Sequence, residues 1–221
     1  MIYLHRFQTS DFRNSDLNKE RFDGITTEMR YLPLADNLVL SETHSTYPVL
    51  DTFKNLLSTE KDVIVDCKES GVEDKLLSKI GFRNNFYFLN SDIQDIIRLC
   101  KSHSALIGHF IVRVSLFEGF PNKLVEFCKP EKFWIDASLC NGDCKITDLM
   151  DLTTCKHTIT NLIENIVSSS ACYGLEPEII LASPDVNSVD SDFQIEFFRN
   201  YYKSLDADNI SVCTKFPDIF E

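Results

Sequence analysis

The sequence is poor in the residues that loosen or break a chain. Only seven glycines and seven prolines occur among 221 residues, which argues against a disordered or low-complexity protein. No Ser/Gly/Pro-rich linker and no internal repeat divides the chain, so one domain over 1–221 is expected. No apolar run reaches the ~20 residues that span a bilayer. No basic segment leading into an apolar stretch stands at the start. These absences predict no membrane span and a soluble, cytoplasmic protein. Cations are also in deficit: Lys+Arg number 22 against 34 for Asp+Glu, a formal net charge of -12. Such a field repels a phosphate backbone, so no nucleic-acid partner is expected. A small anion can still bind where cations cluster locally.

The eight cysteines, with no secretory leader in view, read as buried or reduced thiols rather than a disulfide framework. Cys140, Cys144, Cys155 and His157 are four soft groups that could hold a zinc ion. Their spacing matches no compact zinc ribbon, and Asn141-Gly142-Asp143 between the first two reads as a turn in a surface loop.

What is present is apolar content of 43%, enough for one sizeable core, and a regular alternation of element types. Met1-Ile2-Tyr3-Leu4 is a short strand ending in the pair His5-Arg6. Residues 24–31 form a strand whose period of two puts Thr26, Glu28 and Arg30 on one face. Leu38–Ser41 follows as its hairpin partner, and Pro48 opens a helix with Val49, Leu50, Phe53, Leu56 and Leu57 at helical spacing. Asp62–Lys68 has the continuous apolar run of a parallel strand covered on both faces.

Helices over 72–80, 92–101, 122–128, 147–168 and 193–205 then alternate with strands over 86–89, 110–115, 133–137, 179–183 and 210–214. Eight main strands alternating with helices predict a parallel sheet. They suit a small (β/α)8 TIM barrel, α/β in class, with the early helices missing or replaced by loop and hairpin. An open doubly wound sheet is the alternative, weakened because no Gly-rich phosphate loop follows the first strand.

In a barrel the C-terminal strand ends converge on one mouth. Those ends carry His5 and Arg6, Glu28 and Arg30, Glu42 and His44, Asp66 and Lys68, Arg113 and Ser115, Asp136, and Lys215. Charges do not gather at the ends of buried strands without partners, because isolated burial costs several kcal/mol each. Either the strands simply leave the core into water, or the ends form a polar site. That so many strands share the pattern favours a site.

The order of these segments resembles the glycerophosphodiester phosphodiesterase-like members of the phospholipase C-like TIM-barrel superfamily. The resemblance rests on Leu4-His5-Arg6, the stretch 24–30, Leu38-Val39-Leu40-Ser41-Glu42-Thr43, the stretch 65–73, Val112–Ser115, Phe133–Asp136, Ser183-Pro184 and the stretch 212–218. It is most similar to small bacterial relatives associated with surface-glycan gene sets. The resemblance implies a phosphodiester hydrolase acting on a small glycerol-, polyol- or nucleotide-linked phosphodiester. His5 would transfer a proton, and Arg6, Lys68 and Arg113 would contact phosphate. Glu28 and Asp66 would be ligands for a divalent cation, Mg or Ca. Arg30, His44, Asp136 and Lys215 are further site candidates.

Two departures bear on that chemistry. Thr26 stands where the family has a carboxylate, and a hard cation wants several charged oxygens. Glu42-Thr43 stands where the family has a His-Asp pair, so Glu42 is the candidate partner of His5 in acid/base work. His44, two residues on, shares the direction of Glu42 along an ideal strand and could serve only through a bulge. A non-catalytic relative that keeps an anion pocket or a partner surface is the second reading. In it, Arg30–Glu28 and Lys68–Asp66 would be internal ion pairs.

Overall fold

The structure, a computed structural model, describes residues 1–5, 22–32, 34, 36–40, 59–115, 120–136, 149–187 and 192–220. Eight parallel strands close into a barrel. They are β1 (Ile2–Leu4), β2 (Gly24–Leu32), β4 (Asp62–Cys67), β5 (Phe86–Leu89), β6 (Phe110–Val114), β7 (Lys132–Asp136), β8 (Glu178–Ala182) and β9 (Ile210–Thr214). Each pairs with the next around the ring. β1 completes it by pairing with β9 on one side and with β2 on the other, through Tyr3↔Gly24 and Leu4↔Ile25. That last pairing rules out the open doubly wound alternative. β3 (Asn37–Leu40) is the expected hairpin partner, antiparallel to the far end of β2.

Five α-helices lie among the described residues: α1 (Val72–Ile80), α2 (Ile93–Ser102), α3 (Asn122–Cys128), α4 (Leu149–Ala171) and α5 (Asp192–Leu205). Their ends follow local chemistry. Gly71 and Gly81, at φ 87° and 72°, flank α1 in a conformation that glycine adopts without a Cβ clash. The Asp92 carboxylate caps α2 by accepting the Gln94 N–H at 2.8 Å. The helix anticipated after Pro48 and the irregular stretch before Gly24 fall outside the described residues. Among the described residues no helix is long and apolar enough to cross a membrane.

The strands are apolar on both faces because each face has a core of its own. One set of alternate residues, including Val63, Val65, Phe133, Ile135, Ile179 and Leu181, packs outward against the helices. The other set, including Ile64, Leu89, Ile111, Trp134 and Ile180, fills the lumen. A filled lumen of this kind is a packed core, not a pore.

Cys155, on α4, is disulfide-bonded. This corrects, at Cys155, the reading of the eight cysteines as buried or reduced thiols and removes Cys155 from the zinc candidates, since a disulfide sulfur is no thiolate ligand. Cys67, Cys100, Cys128, Cys172 and Cys213 are free. Cys140 and Cys144 lie outside the described residues.

Candidate functional site

The inward alternation that fills the lumen with Ile64 and Trp134 brings Asp66 and Asp136 to the same face one step later, at the C-terminal rim. Glu28 reaches that rim from β2, where it stands in register with Asp66 of β4. Two carboxylates facing each other across a strand pair repel. Lys68, two residues past Asp66, returns to the same side and resolves the conflict. Its backbone N–H prolongs the β2–β4 pairing by donating to the Met29 carbonyl at 3.0 Å. Its Nζ lies 2.9 Å from Glu28 Oε1 and 2.6 Å from Asp66 Oδ2. Burial opposes the Lys68 charge, but Asp66 and then Glu28 outweigh it and hold the ammonium above its ordinary pKa. Asn90, just past β5, donates to the other Asp66 oxygen at 2.8 Å. It does so from a left-handed backbone, φ 61°, which asparagine tolerates.

His5 is held at the end of β1. Its N–H donates to the Thr214 carbonyl at 2.8 Å, and its Nδ1 lies 3.1 Å from Thr26 Oγ1 and 3.8 Å from Cys213 Sγ. A hydroxyl on one ring nitrogen sets the orientation of the imidazole. The Cys213 thiol is pushed well above its usual pKa by burial first, then by the charges of Asp185, Asp136 and Asp66. Burial disfavours the thiolate, the nucleophilic form of the thiol. The charges of Asp66, Asp136 and Asp185 stand at the ends of β4, β7 and β8, which the closed parallel pairing brings to the same mouth as His5.

On the opposite side of the mouth Trp134 Nε1 donates to Asp136 Oδ1 at 2.9 Å, and Arg113 forms an ion pair with Asp136 Oδ2. Asp185, in the short turn after β8, is fully buried. Its Oδ2 accepts the Lys215 N–H at 2.6 Å and the Thr214 hydroxyl at 3.1 Å, tying the end of β9 to the β8 turn.

Of the residues expected from the sequence, the structure therefore gathers His5, Glu28, Asp66, Lys68, Arg113 and Asp136 at the mouth. Lys215 enters through its backbone N–H. Arg6, Glu42 and His44 lie outside the described residues. Arg30 reaches Glu69 Oε1, in the loop between β4 and α1, at 2.9 Å, rather than forming the anticipated pair with Glu28. Glu28 takes Lys68 instead. Sequence reading missed Asp185, Asn90 and the indole of Trp134. The apolar run Ile179–Ala182 ends in Ser183-Pro184-Asp185, so the strand-end pattern that flagged Asp66 would also have flagged Asp185 had it been followed past the proline.

The donor set does not fit a divalent cation. A hard cation takes six or more oxygen ligands. Here the Lys68 ammonium already lies between Glu28 and Asp66, and the Thr26 hydroxyl is engaged with His5. Among the described residues no group of three or more acids, histidines or cysteines is arranged to hold a metal ion.

No family model and no curated protein matches the sequence. Among solved structures, the chain is similar to the X-ray structure of an arginine decarboxylase from Paramecium bursaria Chlorella virus, with 12% identity and a TM-score of 0.40. The match covers 75% of this chain and 54% of that one, so the chain spans about half of that structure's length. The barrel assignment rests on the strand pairing within this chain.

Proposed function

We propose that the barrel mouth binds a small phosphodiester, glycerol-, polyol- or nucleotide-linked, and hydrolyses it with His5 as proton-transfer group. The observation that carries this reading is the placement of His5 at the end of β1, oriented by Thr26, at the same mouth where the strand ends carry Glu28, Asp66, Lys68, Arg113 and Asp136. In the reaction a water oxygen bonds to phosphorus as the phosphorus–alkoxy bond breaks. The water's proton goes to a base, and the departing alkoxide takes a proton from an acid. His5 fills one of these roles. Glu42 is the partner expected from the sequence. Lys68 and Arg113 supply positive charge to the phosphate oxygens as they turn from their carboxylates, and Arg6 is the further phosphate contact expected from the sequence. The test is turnover on a panel of small phosphodiesters. His5→Ala should lose at least about 10²-fold in rate with its melting temperature unchanged. A folded, pure protein that cleaves none of the panel, with or without divalent cations, sinks the reading.

A second reading is favoured by one specific feature: Lys68, Arg113 and Arg30 each form an ion pair with a carboxylate. A non-catalytic relative would use such a mouth to bind a phosphorylated ligand, or to serve as an interaction module. Calorimetric binding of glycerol phosphate or inorganic phosphate, without turnover, supports it.

A further inference from the structure

β9 lies beside β1 with Tyr3 opposite Cys213 and Leu4 opposite Thr214. Tyr3 and Cys213 both belong to the core that fills the lumen. The His5 N–H bond to the Thr214 carbonyl carries the pairing one step further. The alternation of the two strands therefore brings His5 and Lys215 side by side on the inward face, at the mouth. Thr214 turns the other way, where its hydroxyl donates to Asp185 at 3.1 Å. The backbone of Lys215 is fixed as well. Its N–H donates to the same Asp185 oxygen at 2.6 Å, and the next N–H, of Phe216, closes onto Thr214 Oγ1 at 3.0 Å.

The cations at the strand ends are not equivalent. Lys68 is paired with Glu28 and Asp66, Arg113 with Asp136, and Arg30 with Glu69. The Lys215 ammonium is partly buried and has no ion pair or hydrogen bond among the described residues. Acids are plentiful in a chain of net charge -12, yet the one beside it, Asp185, takes the Lys215 backbone N–H and not its ammonium. A paired cation must be drawn off its carboxylate before it can meet a ligand, and breaking a buried pair is costly. An unpaired ammonium has all its donors to offer.

We propose that Lys215 is the anchor for the phosphate group of the ligand, held next to His5, while Lys68 and Arg113 chiefly offset the acids of the rim. This deepens the function proposed above by naming the cation that the ligand meets first. It rests on reading the mouth as a phosphate site, but not on any hydrolysis there.

Calorimetric titration with glycerol phosphate, well below each protein's melting temperature, tests it. Wild type is compared with Lys215→Met, Lys215→Arg and Arg113→Met/Asp136→Asn, which removes a paired cation together with its acid and leaves net charge unchanged. Wild type should bind one glycerol phosphate per chain. Lys215→Met should bind at least about tenfold more weakly, the loss expected for one hydrogen bond between charged groups. Lys215→Arg should recover most of that affinity, and the double variant should lose less than Lys215→Met. Lys215→Met that binds as wild type does, even with a lowered melting temperature, overturns the inference: Lys215 then serves only to balance buried Asp185, and the mouth can still be the site. A double variant that loses as much as Lys215→Met overturns it too. Wild type that binds no glycerol phosphate removes both the anchor and the site, whereas binding without turnover removes hydrolysis alone and leaves the anchor standing.

Discussion

The two ends of the barrel solve the same electrostatic problem with the same chemistry and to different effect. At the floor, where the strands begin, Lys132 of β7 bridges Asp62 of β4, at 2.9 Å, and Glu178 of β8. At the mouth Lys68 bridges Glu28 and Asp66. The floor is sealed. Tyr3 crosses the lumen and its hydroxyl lies 3.0 Å from Asp62 and 3.1 Å from Glu178. Lys132 stacks over the Tyr87 ring at 4.5 Å, and Ser211 donates to the second Glu178 oxygen. The Lys132 side chain is 7% exposed, against 26% for Lys68. A lysine between two acids is thus no mark of function in this fold. What separates the ends is access, since a histidine stands at each: buried His109 stacks on Tyr87 at 5.1 Å at the floor, and His5 lies at the mouth.

The largest expected effect breaks the floor. Lys132→Met leaves the buried Glu178 and the partly exposed Asp62 without their shared cation, and loss of one partner of a buried pair such as Lys132–Glu178 costs about 3–5 kcal/mol. Chemical denaturation should show that loss. A loss below that of Lys68→Met would mean the floor is not the more tightly built end. Gly24→Ala comes next. A Cβ there would lie 2.5 Å from the Tyr3 ring and 2.9 Å from the Asp62 carbonyl, so Tyr3 must leave its position across the floor. Overpacking of this kind costs about 1–3 kcal/mol, and an unchanged denaturation midpoint would refute the close fit. Lys68→Met should cost less than Lys132→Met. Lys68, a quarter exposed over two buried carboxylates, lies between the limits for exposed and buried ion pairs, about 1–3 kcal/mol.

The smallest effect concerns an acid that neither lysine serves. Glu73, on the first turn of α1, is fully buried. Burial raises its pKa above the ordinary glutamate value, the nearby Ser91 and Cys67 side chains partly offset the rise, and the charge of Asp95 adds to it, while neither carboxylate oxygen has a hydrogen-bond partner among the described residues. A raised carboxyl binds its proton more tightly in the fold than in the unfolded chain. Stability therefore falls as pH climbs from the ordinary glutamate value, about 4.3, to the folded value, and stays lower above it. Glu73→Gln lacks this titration. Its melting temperature relative to wild type should rise with pH through that window and then level off. A difference that is flat with pH would show that Glu73 does not titrate differently on folding.

Much of the fold was legible in the chain. The helix over 72–80 and the strands over 86–89 and 210–214 match their sequence expectations, because period, caps and flanking turns are local signals. The strand-end pattern also located Asp66, Lys68 and Asp136. It did not locate Asp62, Lys132 and Glu178, which look in sequence like solvated residues at strand starts. Nor did it pair Arg30 with Glu69, since that partner lies 39 positions away.

Local chemistry was enough to decide which segments are strands, which are helices and which side chains share a face, because φ/ψ preference and periodicity act over a few residues. Which charges become partners was decided by closure. Only the pairing of β1 with β2 brings the two ends of the sheet together, and only then does Tyr3 span the floor and His5 meet Thr26. A charge in a half-buried site takes its energy from whatever stands within a few ångströms, and in this barrel those neighbours come from strands far apart in the chain.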